Sequence, residues 1–322
     1  MSLRRSLALA LASVSFVSSA WASPHVLKPG ESYSELSLGL TSAESYFRDS
    51  DSKSWTLGGT FEQRVLRSHN ELGWHKRTSV WLDLPVVSRT YARGTGATAT
   101  STGLGDLGLG VRIAVKRSGM PISLSLGWTA PMGGNRRLFP GTSGGTGLDG
   151  TRYGTAATAN GQKENFFDAG LQSLSASLAV GGTLGSHAYY ALGTGWMTRY
   201  LTVGATSTTD RFANFLNTDA TLGVWCSPRL LLDGTYHGTS QIAQGDAYDR
   251  ILGNTDRELK TSFATIGSRA TYRVDDKLDV FAGAQFTVSG RNALAANTWY
   301  AGMAWKQTSL GRLAGAFGNT KH

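Results

Sequence analysis

The chain contains six histidines, and a histidine placed beside a serine and an acidic residue is the arrangement that nucleophilic hydrolysis requires. His237 lies well within a predicted strand, with Asp233 four residues before it and Ser240 three residues after it. Side chains three residues apart on a strand face opposite sides, so His237 and Ser240 cannot form a dyad locally. Asp233 and His237 share a face but would lie about 13 Å apart. The sequence therefore does not support a catalytic triad, and we predict no enzyme activity.

Ionisable residues also recur at alternate positions of the predicted strands, which places them on one face of each strand. If that face encloses water, such groups are candidates for lining a passage and selecting its solutes. The alternative is that opposite charges pair across the interior and only fill it. The candidates on this face are Glu35, Glu62, Arg64, Asp83, Asp106, Arg112, Asp219, Asp233, His237, Arg269 and Lys306.

Hydrophobicity with a period of two defines the elements that must position these residues. Between residues 106 and 115, apolar residues alternate with Asp106, Arg112 and small residues, and residues 278–289 follow the same pattern. Successive side chains of a strand point to opposite faces, so each such segment has one apolar and one polar face. About twelve segments follow this pattern. Their predicted bounds are near 32–47, 54–66, 75–92, 103–117, 121–132, 165–184, 187–201, 214–226, 229–242, 258–274, 278–290 and 297–307.

The connections between these segments alternate in length. Residues 67–70, 116–119, 185–187, 227–228 and 275–277 form short predicted turns, whereas about thirty residues separate Met132 from Asn165. Short turns at one end, long loops at the other and an even strand number are typical of bacterial outer-membrane barrels. We therefore predict an all-β fold, a single antiparallel transmembrane β-barrel of about twelve strands over residues 23–307. The alternative, a β-sandwich, has shorter strands of about 5–6 residues.

The composition excludes two other classes of protein. Glycine accounts for 41 of the 322 residues, and charged residues make up 16%, against roughly 25% in ordinary soluble domains. Hydrophobic residues reach only 40%, which is too few for a helical membrane protein. Cys226 is the single cysteine, and no cysteine–histidine pair has the spacing of metal ligands, so neither a metal nor a cofactor is expected.

Both ends of the chain have sequences that we set apart from the barrel. Arg4 and Arg5 precede a short apolar core, and Ala20-Trp21-Ala22 forms a cleavage site, so residues 1–22 are a predicted signal peptide. Residues 308–322 follow the last predicted strand and are interpreted as a C-terminal periplasmic tail. The few residues between the cleavage site and the first strand are too short for a sizeable plug. We therefore expect any occlusion of the interior to come from the loop 133–164.

The stretch Thr102–Arg117 resembles the S/T-G-x-G-D-L-x-L-G strand of the outer-membrane family labelled "MetA-pathway of phenol degradation". The resemblance implies an outer-membrane location in a Gram-negative bacterium and transport of small aromatic or other hydrophobic molecules. Asp106 and Arg112 lie on the resembling strand and are therefore our first candidate pair for a selective lining. Glu62 and Arg64, on the second strand, come next. The matching positions are Gly103, Gly105, Asp106, Leu107 and Gly110.

The expected partners are a small-molecule solute, outer-membrane lipids and lipopolysaccharide. The loop 133–164 contains four basic and two acidic residues, so it could contact lipopolysaccharide phosphates or fold into the mouth of the barrel. Nucleic acid is not expected, because the positive charge is spread over loops and turns of an exported chain. A structural or adhesion barrel acting through its loops, and a lipid-modifying enzyme, are the alternative functions. The sequence does not define the oligomeric state.

Overall fold

The structure is a computed structural model that describes residues 24–47, 54–93, 98–132, 171–203, 208–244, 261–291 and 293–307. The predicted signal peptide (1–22), the loop 133–164 and the tail 308–322 lie outside the described residues and stay predictions. Among the described residues, no helix is long and apolar enough to cross a membrane.

The described residues form one antiparallel sheet. Its strands are β1 Ser32–Phe47, β2 Ser54–His75, β3 Thr78–Arg93, β4 Thr98–Leu104, β5 Asp106–Lys116, β6 Ile122–Pro131, β7 Leu171–Leu184, β8 Ala188–Val203, β9 Thr208–Trp225, β10 Leu230–Gln244, β11 Ser262–Arg273, β12 Leu278–Arg291, β13 Ala293–Leu294 and β14 Asn297–Gln307. The sheet closes on itself, because β1 pairs with both β2 and β14. The strands β4 and β5 are consecutive parts of one barrel strand, and β13 is a two-residue strand that pairs with the end of β1. The barrel therefore has twelve strands, as predicted.

Apolar residues face outward on this barrel and polar residues face inward, the reverse of a soluble protein. The outward-facing Leu38 and Leu192 are each 48% exposed, whereas the inward-facing Gln63 and Ser79 are buried. A barrel surrounded by lipid places its apolar side chains in the acyl chains and keeps polar groups inside. Closure pairs β1 with β2, the two strands that would otherwise be edges of the sheet, and an unpaired edge would cost several kcal/mol per backbone group in lipid.

The second strand is longer than predicted. The sequence predicts its end at residue 66 and a turn at 67–70, whereas β2 continues to His75 and residues 67–75 pair with β3. The stretch from Arg67 to Glu71 is polar because its inward side chains pair with charges on neighbouring strands, not because it turns in water. A polar strand inside a barrel therefore looks like a loop in the sequence.

The barrel strand formed by β4 and β5 is interrupted at Gly105. The N–H of Gly105 donates to the carbonyl of Pro85 on β3 at 2.9 Å. A Cβ at position 105 would lie 3.0 Å from Pro85 Cγ and Val87 Cγ2, so a larger residue here would require these side chains to shift. No atom lies within 4 Å of a Cβ built at Gly103, so the structure shows no such requirement for that motif glycine.

Candidate solute passage

A cavity of about 410 Å³ occupies the interior of the barrel. Inward-facing side chains from β1, β2, β5, β8 to β12 and β14 line it, together with residues that precede β1. Acidic and basic side chains are balanced around it, so the lining carries little net charge. The charged lining residues are Glu35, Glu71, Asp219, Asp233 and Asp279, and Arg67, Arg112, Arg269, Arg273 and Lys306.

One side of the cavity is built around Arg269 on β11. Its Nη1 lies 3.7 Å from Glu35 Oε2, and its guanidinium carbon lies 3.9 Å from the centre of the Phe281 ring. Asp233 on β10 is its cross-strand neighbour. Glu35 and Asp233 also accept hydrogen bonds, each at 2.7 Å, from tyrosine hydroxyls. This surface, which we call the aromatic wall, consists of Tyr33, Tyr189, Arg269, Phe281 and Tyr300 with their two carboxylates.

Glycines on neighbouring strands allow these aromatic rings to lie flat along the barrel. A Cβ at Gly283 would be 2.5 Å from Tyr300 Cζ, so the tyrosine ring covers that glycine. Tyr189 covers Gly223 in the same way, closely enough that a Cβ there would overlap the ring. The rings therefore form the surface of the wall and leave the centre of the barrel open.

A second surface of the interior, which adjoins the first where β1 pairs with β2, consists of Arg67, Glu71, Asp83 and Arg112 with His69 and Trp81. We call it the paired wall. Two nitrogens of Arg67 donate to the Asp83 carboxylate, and Arg112 Nη1 donates to Glu71 Oε2 at 2.7 Å. These four residues are buried or nearly so. Each charge on this wall has a partner on an adjacent or nearby strand. Arg67, Glu71 and Arg112 line the cavity, whereas Asp83 is not among the lining residues.

His69 and Trp81 fill the space between the charges of the paired wall. His69 is buried, stacks on Trp81 with ring centroids 6.4 Å apart, and has its Nδ1 3.5 Å from Asp83 Oδ2. The Trp81 indole lies over Gly110, where a Cβ would be 2.5 Å from Cζ2. Gly110 of the family-like motif is therefore required by the packing of an aromatic ring on the barrel interior.

His237 has an acidic partner, but it is not the one considered from sequence spacing. Its Nδ1 lies 2.7 Å from Asp219 Oδ1 on the neighbouring strand β9, and its Nε2 lies 3.0 Å from Thr239 Oγ1. Asp233, four residues away, bonds Tyr189 instead. Sequence spacing missed this contact because cross-strand neighbours depend on register. Within the described part of the chain, no group of three or more acidic, histidine or cysteine side chains could hold a metal ion.

The structure places most candidate residues inside the barrel but does not join the first candidate pair. Arg112 pairs with Glu71, whereas Asp106 lies at the other end of β5, is exposed and interacts electrostatically with Arg199. Their roles in a lining stay predictions. Facing inward as predicted are Glu35, Asp83, Asp219, Asp233, His237 and Arg269.

The inward assignment of Glu62 and Arg64 was wrong. Both are exposed on β2, where they alternate with the buried residues Phe61 and Gln63. Arg64 is opposite Leu40 on β1 and Ser88 on β3, and the exposed residues of β1 beyond that level, Ser42 and Glu44, are polar. An outward charge at this height meets water or headgroups rather than acyl chains, so charge alone did not identify the inner face.

The residues before β1 are too few for a sizeable plug, as expected, but they contribute to one mouth of the barrel. The Gly30 N–H donates to the carbonyl of Gly73 at 3.0 Å, and Arg117 Nη2 reaches the carbonyls of Val26 and Leu27 at 3.4 Å. The Pro24 ring packs on Gly181 of β7. Residues 24–30, the N-terminal segment, therefore cross the mouth of the barrel at the end with the short turns.

Three residues of the N-terminal segment face the cavity: Pro24, His25 and Leu27. Partial burial removes water from the imidazole and lowers the pKa of His25 from its ordinary value of 6.5. The segment thus narrows this end of the passage and has a titratable group in its contact surface.

The fold is that of the outer-membrane β-barrels of Gram-negative bacteria, the class and location expected from the sequence. It is similar to the COG4313 outer membrane channel from Pseudomonas putida F1, with a TM-score of 0.66, 12% identity, and coverage of 88% of this chain and 97% of that one. A looser match is the translocator domain of the autotransporter NalP from Neisseria meningitidis, with a TM-score of 0.47, 11% identity and coverage of 85% and 88%. No protein-family model and no curated protein sequence matches the chain.

Proposed function

We propose that this protein is an outer-membrane channel that lets small molecules cross the barrel by diffusion. The observation that supports this function is the lined cavity, in which a wall of aromatic rings and hydroxyl groups faces an interior of balanced charge. A balanced lining does not exclude neutral molecules or strongly favour one sign of ion. The likeness to a barrel named as an outer membrane channel agrees with this function.

We propose small aromatic or other hydrophobic molecules as the solutes. Tyr33, Tyr189 and Tyr300 each present an apolar ring with one polar group, and Phe281 adds a purely apolar ring. Aromatic solutes can stack on such rings in offset or edge-to-face geometry and gain roughly 0.5–1.5 kcal/mol per ring pair. The resemblance of Thr102–Arg117 to the phenol-degradation family points to the same class of solute.

The test is the permeability of liposomes that carry the refolded protein, measured in parallel with a small sugar and a small aromatic acid. We expect the aromatic acid to enter faster than the sugar. Equal, rapid uptake of both would indicate a general pore and would overturn the proposed solute class. If neither enters, although heat-modifiable gel migration shows a folded barrel, the channel function is wrong.

Two tyrosine variants distinguish an effect on the cavity lining from an effect on the outer surface of the barrel. Tyr300→Leu removes a hydroxyl-bearing ring from the aromatic wall, whereas Tyr272→Leu changes a tyrosine on the outward face, which is 45% exposed. We expect the first variant to reduce the preference for the aromatic acid and the second to leave it unchanged. Equal effects of the two variants would contradict a passage along this wall.

A further inference from the structure

The short turns at one end of the barrel differ in charge. Lys76 and Arg77 form the turn between β2 and β3, and Lys116 and Arg117 lie where β5 ends and the next turn begins. No acidic residue lies in either turn. By contrast, the turn between β11 and β12 contains two aspartates and one lysine. The positive charge of this end is therefore concentrated on one side of the barrel.

The contrasting turn keeps its negative charge. The carboxylate of Asp275 accepts hydrogen bonds from the backbone N–H groups of Lys277 at 2.7 Å and Leu278 at 2.8 Å. These bonds favour the ionised form and lower the pKa of Asp275 below its ordinary value. The turn between β11 and β12 therefore differs in sign from the two basic turns.

The two basic turns are direct neighbours. The N–H of Ala114 donates to the carbonyl of Arg77 at 2.7 Å, and β3 pairs with β5 from Thr78 onward. The side chains of Lys76, Arg77 and Lys116 are exposed, and none of them forms an ion pair with a carboxylate of the described residues. Unpaired bases held together at a surface create a local positive potential that attracts anions.

Exposed apolar side chains lie next to these bases in the chain. Trp74 is 66% exposed, Val115 is 55% exposed and Met120 is 45% exposed. Trp74 is the penultimate residue of β2, two residues before the first basic turn begins, and Val115 precedes Lys116 on β5. Tryptophan is enriched at the membrane–water boundary, where its ring lies at the level of the lipid headgroups. Bases just beyond such a ring reach the depth of the phosphates.

We propose that this surface, the basic corner (Trp74, Lys76, Arg77, Lys116, Arg117 and Met120), binds the headgroups of anionic phospholipids in the inner leaflet of the outer membrane. The bases pair with the phosphodiester and any additional headgroup charge, while Trp74 and Met120 contact the glycerol and upper acyl region. A soluble acidic protein docking on the end of the barrel could reach the bases but not the lipid-facing Trp74. The apolar component therefore favours a lipid, and the site is independent of whether a solute passes through the barrel.

The experiment compares lipid retention by the full mature chain in detergent, with the refolded protein exposed to equal amounts of phosphatidylglycerol and phosphatidylcholine. Native mass spectrometry counts the lipids that stay bound. We expect the wild-type protein to retain phosphatidylglycerol preferentially. The triple variant Lys76→Gln/Arg77→Gln/Lys116→Gln should weaken that preference roughly tenfold or more, because each base near an anionic surface contributes substantially to binding.

A matched control changes bases in two other turns, Arg229→Gln and Lys277→Gln, both of which are exposed. This control should keep the wild-type preference. Equal loss in both variants, or a triple variant that retains phosphatidylglycerol as well as the wild type, would overturn the proposal. The proposal would also be overturned if inorganic phosphate displaced bound phosphatidylglycerol as effectively as added phosphatidylglycerol does, because the site would then recognise an anion and not a lipid.

A second measurement needs no variant. Raising the salt concentration to about 1 M, where the screening length falls to about 3 Å, should release phosphatidylglycerol from the wild-type protein while heat-modifiable migration stays unchanged. Retention at high salt equal to that at low salt would contradict recognition by the bases.

Discussion

The two walls of the barrel interior use the same types of residue in opposite ways. On the paired wall, the charges of Arg67, Asp83, Glu71 and Arg112 meet at hydrogen-bonding distance and are buried. On the aromatic wall, Arg269 lies between carboxylates at longer range and covers a phenylalanine ring, and tyrosine rings face the cavity. The comparison supports a division in which one wall stabilises the barrel and the other is the surface that we propose contacts the solute.

The difference follows from what each wall leaves available to a solute. A carboxylate already held by two arginine nitrogens, as Asp83 is, offers little further binding capacity. The tyrosine rings of the aromatic wall face the cavity and can still stack, although two of their hydroxyl groups already donate to carboxylates. Charged residues facing the interior are therefore poor markers of selectivity unless their partners are known.

The largest effect is expected on the paired wall. Arg112→Leu leaves Glu71 as a buried charge without its arginine partner, so the free energy of unfolding should fall by about 3–5 kcal/mol. Urea unfolding in lipid vesicles measures it. The control, Arg64→Leu, changes an exposed outward arginine of β2 and should have a much smaller effect. Similar losses in both variants would show that burial and pairing do not distinguish the two arginines.

A smaller effect is expected from filling the glycine beneath an aromatic ring. Gly223→Ala places a methyl group against the ring of Tyr189, so overpacking should cost about 1–3 kcal/mol and push the ring toward the cavity. Aromatic uptake should slow as well. At Gly234 the nearest atom to a new Cβ is 3.9 Å away, and Gly234→Ala should therefore be tolerated. A Gly223 variant with wild-type stability and uptake would refute the flat-lying ring.

The smallest effect is expected on the pH dependence of solute uptake, through His25 in the N-terminal segment. Because the pKa of His25 is lowered where the segment is seated, the seated state binds fewer protons than the free state. The stabilisation that neutral His25 gives to the seated segment is therefore fully present above pH 6.5, and it is lost as the pH falls through the lowered pKa. Solute uptake by the wild type should rise modestly under mildly acidic conditions, and His25→Gln should abolish that rise. An unchanged pH profile in the variant would exclude His25 as the cause.

Strand alternation predicted the barrel, its strand number and the inward direction of residues such as Asp219 and Arg269, because side-chain direction follows a period of two. It did not predict the length of β2, where inward polar residues resemble a loop. It also misplaced Glu62 and Arg64, since charges above the apolar band can face outward. The neighbours across strands, such as His237 and Asp219, depend on register and could be found only in three dimensions.

The most direct test of the division between the walls is the ratio of aromatic-acid to sugar uptake in two phenylalanine variants of β12. Phe281 lies under Arg269 on the aromatic wall, whereas Phe286 faces outward against Trp299. We predict that Phe281→Ala lowers the ratio toward that of an unselective pore and that Phe286→Ala leaves it at the wild-type value. A ratio unchanged in Phe281→Ala, with the barrel folded, would contradict the assignment of the aromatic wall as the path of the solute.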